Sequence, residues 1–196
     1  MQNPILYCSM HRECGSSRVA YVGEYTTVKV AAVDVMGPMK DLIAQWRRGH
    51  KDLVWQIIFG EEKNHCIPYT IRTALRGIFA NKREGESWSS LREIVLPTRS
   101  LFGGVLAVQQ TTEDLRTPFA TTFWDIVMDH FDECRLMQEG VHHTFTGIGN
   151  FGFGLGGVKL RDFGGIGVPD FLRRNHQAMR QLLRGLAKSE LSLRRG

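Results

Sequence analysis

Between Thr146 and Pro169 the chain reads TGIGNFGFGLGGVKLRDFGGIGVP, with nine glycines interleaved among Phe151, Phe153, Phe163, Lys159 and Arg161. Glycine costs conformational entropy on folding, so a compact chain keeps so dense a run where the backbone needs positive φ or where another group must touch it. A flexible linker would carry serine and other polar residues in place of Phe, Leu, Ile and Val, and collagen would need glycine at every third position. The stretch therefore reads as an ordered loop-and-strand system. A packed turn and a polyanion are both candidates for the group that approaches it.

The rest of the chain favours a soluble globular class. Its 196 residues suffice for one domain with a real core, and 42% hydrophobic against 23% charged residues is the balance of a folded protein. The net charge of +5 leans toward a polyanion partner. No run approaches the ~18 apolar residues of a membrane helix, and the opening MQNPILYCSMHRECG lacks the pattern of a secretory signal. Four unevenly spaced cysteines, Cys8, Cys14, Cys66 and Cys134, point to reduced thiols and a cytoplasmic setting.

Hydrophobic periodicity supplies the element order. Ile5 to Ser9 and Arg18 to Tyr25 read as strands, the second interrupted at Gly23, and the β-branched run Thr26 to Val35 as a largely buried one. Gly37-Pro38 opens a helix with Met39, Leu42, Ile43 and Trp46 on one face and Gly49 as its stop. LVWQIIF, Leu53 to Phe59, reads as a buried strand completing a β-α-β unit, followed by the polar turn EEKNH. Pro68 opens a second helix with an apolar face of Ile71, Ala74, Leu75, Ile78 and Phe79, and with Arg72 and Arg76 four apart on another side, Arg83 lying just past its end. NKREGESWSS reads as a mobile loop, and Glu93 to Leu96 and Gly104 to Gln109 as short strands around PTRSLFGG.

Thr117 is the expected N-cap of a helix running to Gly140, with Phe119, Phe123, Ile126, Val127, His130, Phe131 and Cys134 as its apolar stripe. Asp125, Asp129, Asp132 and Glu133 on the outer side read as a solvated face, without a metal. Val141 to Thr146 and Gly157 to Arg161 read as strands flanking the glycines. Pro169 starts a final helix with Leu172, Met179, Leu182, Leu183 and Leu186 on one side and Arg173, Arg180, Arg184 and Lys188 on the other. The domain division is residues 1–168, holding the glycine-rich loop at 146–168, and a basic amphipathic helix at 169–196 packed on it or extending from it.

Gly147, Gly149 and Gly152 match G-x-G-x-x-G, but the familiar nucleotide sites do not follow. A kinase separates its glycine loop from Asp-Phe-Gly by a catalytic loop, whereas Asp162-Phe163-Gly164 follows here almost at once. A dinucleotide turn leads into a helix, and FGFGLGG is hostile to one. Cys8, His11 and Cys14, with His65 or Cys66 as a fourth ligand, make a weak zinc candidate because structural zinc usually shows two clean ligand pairs. His142 and His143 are weak general-base candidates. No catalytic residue, metal or cofactor is assigned.

Three segments in order carry a more specific likeness: Ile67-Pro68-Tyr69-Thr70-Ile71-Arg72-Thr73-Ala74-Leu75-Arg76, then Ser100-Leu101-Phe102-Gly103-Gly104, then Gly147 through Gly154 to Val158-Lys159-Leu160. This order resembles the RAMP superfamily of CRISPR-associated RNA-binding proteins, in which an Ile-Pro-led helix, a Leu-Phe-Gly segment and a late glycine-rich loop recur on ferredoxin-like folds. The resemblance implies an α+β chain with a ferredoxin-like or RRM-like antiparallel sheet, packed helices and a C-terminal helical extension. It further implies a non-catalytic CRISPR RNA-binding subunit of a multi-subunit ribonucleoprotein in antiviral defence, with RNA and other protein subunits as partners and no membrane. Its RNA-facing surface would comprise Gly147, Gly149, Gly152, Gly154, Lys159, Arg161, Arg72 and Arg76, joined by Arg173, Arg180 and Arg184, with Phe151 or Phe153 stacking on an unpaired base. Two other expectations stand beside it. One is a structural protein whose glycine loop and C-terminal helix dock onto partner subunits; the other is an RNA endonuclease using His142 or His143.

Overall fold

A computed structural model of the chain describes residues 11–14, 17–31, 36–60, 66–116, 120–154 and 156–195. It is an α+β fold around a five-stranded antiparallel sheet, built from β1 (His11–Cys14), β2 (Arg18–Val22), β3 (Thr26–Ala31), β4 (Thr98–Leu101) and β5 (Leu106–Gln110) in the order β1-β2-β3-β5-β4. β3 and β4 both run antiparallel to β5, so they are parallel to each other with β5 between them. The crossover from β3 to β4 consists of α1 (Met36–Arg47), α2 (Lys51–Phe59) and α3 (Ile67–Leu91).

Cross-strand register decides which residues α3 meets. Arg18 lies beside Ala31, Lys29 beside both Ala20 and Ala107, and Gln109 beside both Thr27 and Thr98, so one sheet face is unusually polar for a covered one. α3 packs there through small residues, with Gly77 over Ala31 and Gly85 over Ser100. Its buried side is correspondingly Ala74, Gly77, Ala80, Asn81, Glu84, Ser87 and Leu91.

The second half of the chain supplies the hydrophobic core. α4 (Ala120–Met128), α5 (Glu133–Gln138), α6 (His142–Thr146), the hairpin of β6 (Phe151–Gly154) and β7 (Gly157–Leu160), α7 (Val168–Arg174) and α8 (His176–Arg195) enclose Phe123, Phe145, Phe151, Phe163 and Phe171, all essentially fully buried. The rings interlock edge to face, Phe123 on Phe151 at 5.3 Å and Phe145 on Phe171 at 5.5 Å between centroids. The single final helix expected from Pro169 is broken at Asn175 into α7 and α8; Leu172 is buried from α7, and α8 buries Met179, Leu182, Leu183 and Leu186 in this core, the side the periodicity predicts.

Several expectations are corrected. Leu53 to Phe59 is helix α2, with Val54 and Ile57 buried at helical spacing while Trp55 and Phe59 stack on each other in the open, so no β-α-β unit forms there. NKREGESWSS is the C-terminal part of α3 and not a loop: its polar residues Asn81, Glu84 and Ser87 are buried against partners distant in sequence. Arg83 accordingly lies inside that helix. Ile71, Leu75 and Phe79, the expected inner face of α3, are exposed.

Residues 92–94 form a turn, leaving only Val95 in a bridge to Leu160, and the chain at 98–101 is a strand. The helix expected to run to Gly140 breaks after Met128. Asp132 caps a new one, its carboxylate accepting from the Arg135 N–H at 2.8 Å, and Cys134 is exposed. Val141 to Thr146 contains helix α6 and no strand, so His142 and His143 lie on a helix. The expected strand Ile5 to Ser9, Cys8, the end of the Thr26 to Val35 strand, the EEKNH turn with His65, and the Thr117-Pro118 helix start with Phe119 lie outside the described residues, as do the side chains of His11 and Cys14.

Candidate nucleic-acid interface

Where the backbone of the glycine-rich stretch is closely approached, the chain itself approaches it. A Cβ on Gly152 would lie 2.0 Å from Thr112 Oγ1 and 2.2 Å from Arg161 Nε, and one on Gly164 would lie 2.4 Å from the Ala80 carbonyl oxygen of α3. Gly149 faces open space. Gly147 sits against the Asn150 side chain, whose amide donates to the Thr144 carbonyl at 3.1 Å, and Gly154 against the Thr112 methyl.

Arg161 is spent inside the fold. Its Nε donates to Thr112 Oγ1 at 2.7 Å, its Nη2 to the Thr112 carbonyl at 2.6 Å, and its Nη1 pairs with Asp114 at 2.5 Å. Lys159 donates to the Arg92 carbonyl at 3.1 Å and to that of Glu93, capping the end of α3 with a cation. Burial lowers its ammonium below the usual lysine value, with the nearby Glu93 charge opposing. Phe151 is fully buried, and Phe153, half-buried, lies under the Arg194 guanidinium at 4.3 Å, so neither ring is free to stack on a base.

Beneath the hairpin's exit lies a polar cluster that sequence reasoning missed. Glu84 Oε1 accepts from Arg18 Nη1 at 2.8 Å and from the backbone N–H groups of Phe163 and Gly164 at 3.3 and 3.2 Å, while Oε2 accepts from Lys29 Nζ at 3.1 Å. Lys29 and Gln109 Nε2 both donate to the Arg161 carbonyl, at 2.7 and 2.9 Å. Arg18 also pairs with Asp162. Burial acts to raise the Asp162 carboxyl, but the Arg18 and Lys29 charges outweigh it and hold the group well below the ordinary carboxylate range. Burial likewise opposes the charge on Arg18, and Glu84 and Asp162 overcome it, keeping the guanidinium fully protonated. The cluster fixes residues 161–164 to β3, β5 and α3.

A cleft of about 560 Å³ opens between β1–β3 and the hairpin, lined by Arg18, Lys29, Arg161, Glu13, Asp114 and Asp162 among others. Its cations are already paired with carboxylates, so it does not present net positive charge to a phosphate.

Unpaired positive charge lies elsewhere. Among the described residues nothing pairs with Arg72 or Arg76 on α3, or with Arg184, Lys188 or Arg195 on α8, and all five are exposed. Arg184, Lys188 and Arg195 line one shallow groove with Ala187, Leu191 and Ser192. Arg180 joins the same helix face through an exposed pair with Glu93 at 3.1 Å. Arg173 is held by Asp170 at 2.6 Å and by the hydroxyls of Ser87 and Ser90. Thus the structure brings Arg180 and Arg184 together on α8, sets Arg72 and Arg76 apart on α3, and commits Lys159 and Arg161 to the fold.

His142 Nε2 lies 3.3 Å from Glu133 and its ring packs edge-on against Trp124, while His143 is exposed and its Nε2 borders Gly165. Cys66 is buried. Among the described residues no three His, Cys, Asp or Glu side chains converge as metal ligands, and no helix is long and apolar enough to cross a membrane. Searches for related proteins return no matching family model, curated protein or solved structure.

Proposed function

We propose that the protein is a non-catalytic, cytoplasmic RNA-binding subunit of a ribonucleoprotein, of the kind the RAMP resemblance implies, and that its phosphate contacts come chiefly from α8. The observation that carries this reading is the outward face of α8. Arg180, Arg184 and Lys188 follow at four-residue intervals, each about 6 Å further along the axis, and Arg195 continues the line, while Glu190, the acidic residue between Lys188 and Arg195, is buried on another side and paired with Arg194. The face adjoins the glycine hairpin, Ala187 Cβ lying 3.9 Å from the Cβ position of Gly157. Exposed ion pairs such as Arg180–Glu93 contribute little, so that arginine exchanges its partner for a phosphate at small cost.

The strand order supports the ferredoxin-like reading in part. β3, its helical crossover, β4 and the intervening β5 have the arrangement of a split β-α-β unit, while β2, itself flanked by β1, takes the place beside β3 where such a fold would put a strand following a second helix. The alternative, an assembly protein docking through the glycine loop and C-terminal helix, has less behind it, because α8 commits its apolar side to the core.

The test is fluorescence anisotropy with a labelled single-stranded RNA across a salt series. Affinity should fall steeply with salt, and replacing Arg184, Lys188 and Arg195 together by alanine should weaken binding and reduce the log–log slope by about 2, from roughly 0.7 per phosphate contact on a single strand. RNA binding with an unchanged slope, or none by the wild type, overturns the reading.

A further inference from the structure

The Leu-Phe-Gly-Gly segment has no role in the interface described above, yet it holds the most exposed phenylalanine among the described residues. Phe102 has φ of +50°, a region that non-glycine residues rarely occupy, and its side chain is 78% exposed between Leu101 and the positive-φ Gly103. Unfavourable backbone combined with an unburied aromatic ring is expected where the ring is needed by something outside the fold.

The turn carrying it is firmly seated. A Cβ on Gly104 would lie 2.3 Å from the Ile78 carbonyl, and Asn81 Nδ2 donates to the Gly104 carbonyl at 3.0 Å, so the turn rests directly on α3. Along that helix Ile71, Leu75, Ile78 and Phe79 share one outward face, and Ile71, Leu75 and Phe79 are about half exposed (54%, 45% and 51%). Val105, 42% exposed, follows the turn. Phe102 thus stands at the end of an apolar ridge about two helical turns long, of a kind that marks interaction sites on soluble proteins.

Charge chooses among occupants. Arg72 and Arg76 border the ridge, and no described carboxylate pairs with either. The nearest acid along this side of the helix, Glu86, is 3.8 Å from Lys82. A two-fold symmetric contact with a second copy would bring two arginine-bordered ridges together, with only Glu86, which already lies beside Lys82, on this side of the helix to meet them. A nucleic acid would meet a ridge made mostly of Ile71, Leu75, Ile78 and Val105, where interfaces with it are typically polar. We propose that the α3 ridge and Phe102 form a docking site for another protein, which presents an amphipathic helical segment with aliphatic residues on one face and carboxylates at its border, Phe102 acting as the anchoring side chain.

The full-length protein can be titrated against a labelled amphipathic peptide with leucines along one helical face and glutamates elsewhere, and against the same peptide with lysines replacing the glutamates. The glutamate peptide should bind saturably and the lysine peptide should not. Phe102→Ala and Arg76→Glu should each weaken binding about tenfold or more with circular dichroism unchanged, since both side chains are exposed. Absence of saturable binding, equal binding of the two peptides, or insensitivity to both substitutions overturns the proposal. So does a concentration-dependent dimer in sedimentation that Leu75→Glu dissolves, which would assign the ridge to a second copy. A loss of RNA affinity in Phe102→Ala would assign it to nucleic acid and overturn it as well. Failure of the α8 variants to alter RNA binding leaves the peptide result untouched, so the two readings fail separately.

Discussion

Glu84 holds more of the fold together than its place in a polar, loop-like sequence suggests. Its two oxygens accept from Arg18, Lys29, and the backbone N–H groups of Phe163 and Gly164, and its side chain has no exposure to solvent. Replacing one member of a buried ion cluster leaves the others charged and unpaired, which typically costs about 3–5 kcal/mol. Glu84→Gln keeps the shape but turns an amide toward two cations, so urea denaturation should show a loss in that range. A change below about 1 kcal/mol would mean that Lys29 and Arg18 find solvent instead. None of this was legible in the sequence, because the partners of Glu84 lie between 55 and 80 positions away and a glutamate flanked by Arg83 and Gly85 carries no local mark of burial. Lys159 and Arg161 show the converse. The sequence identifies them correctly as cations at the strand that leaves the glycine-rich stretch, but cannot reveal that Thr112, Asp114 and the end of α3 already occupy them.

At the scale of elements, sequence periodicity succeeded where one face of a segment met a hydrophobic core. α8 has the inward and outward sides its pattern predicts, and the strand expected to leave the glycine stretch is β7, although its partner is β6 within the stretch and not the expected strand at Val141 to Thr146. It failed where a helix packs on something polar or leaves its apolar side open. α3 buries glycine, asparagine, glutamate and serine against a polar sheet face while exposing Ile71, Leu75 and Phe79, which inverts the usual inference. α2 is too short and too uniformly apolar for its period to separate helix from strand. The packing of α3 on the sheet makes a directional prediction. Glycine to alanine in a helix interior normally stabilises by roughly 0.5–1 kcal/mol. Gly185→Ala in α8 should do so, because its new methyl meets only Ile126 Cγ2 at 3.5 Å. Gly85→Ala in α3 should do the opposite, since its methyl would lie 2.7 Å from the Ser100 backbone nitrogen of β4 and 2.5 Å from Ser100 Cβ. Thermal melts of the two variants should move in opposite directions, and a stabilised Gly85→Ala would show that α3 can lift off the sheet.

The whole molecule joins two dissimilar parts. The C-terminal half is held by interlocked phenylalanines, whereas the five-stranded sheet meets α3 and the hairpin exit through charge and hydrogen bonds, so pH should act on the junction before it acts on the core. Asp162 supplies the sign. Its folded pKa is depressed below the ordinary aspartate value of about 3.9, chiefly against the effect of burial and through Arg18 and Lys29. Its contribution to stability is therefore fully present above that value and is lost as pH falls through the lower folded value, because the unfolded chain takes up the proton first. Wild type should be more stable than Asp162→Asn near neutral pH, and the gap should close only below about pH 4. Melting temperatures of both proteins across an acid series measure that gap directly. A gap that stays constant into strong acid would show that Asp162 stabilises the junction by hydrogen bonding alone, while one that closes near neutrality would place the sensitive proton on another group. With the predicted acid dependence, the Arg18–Asp162 pair is an electrostatic tie between the sheet and the segment leaving the glycine hairpin, and losing it should loosen that segment while the phenylalanine core stays packed.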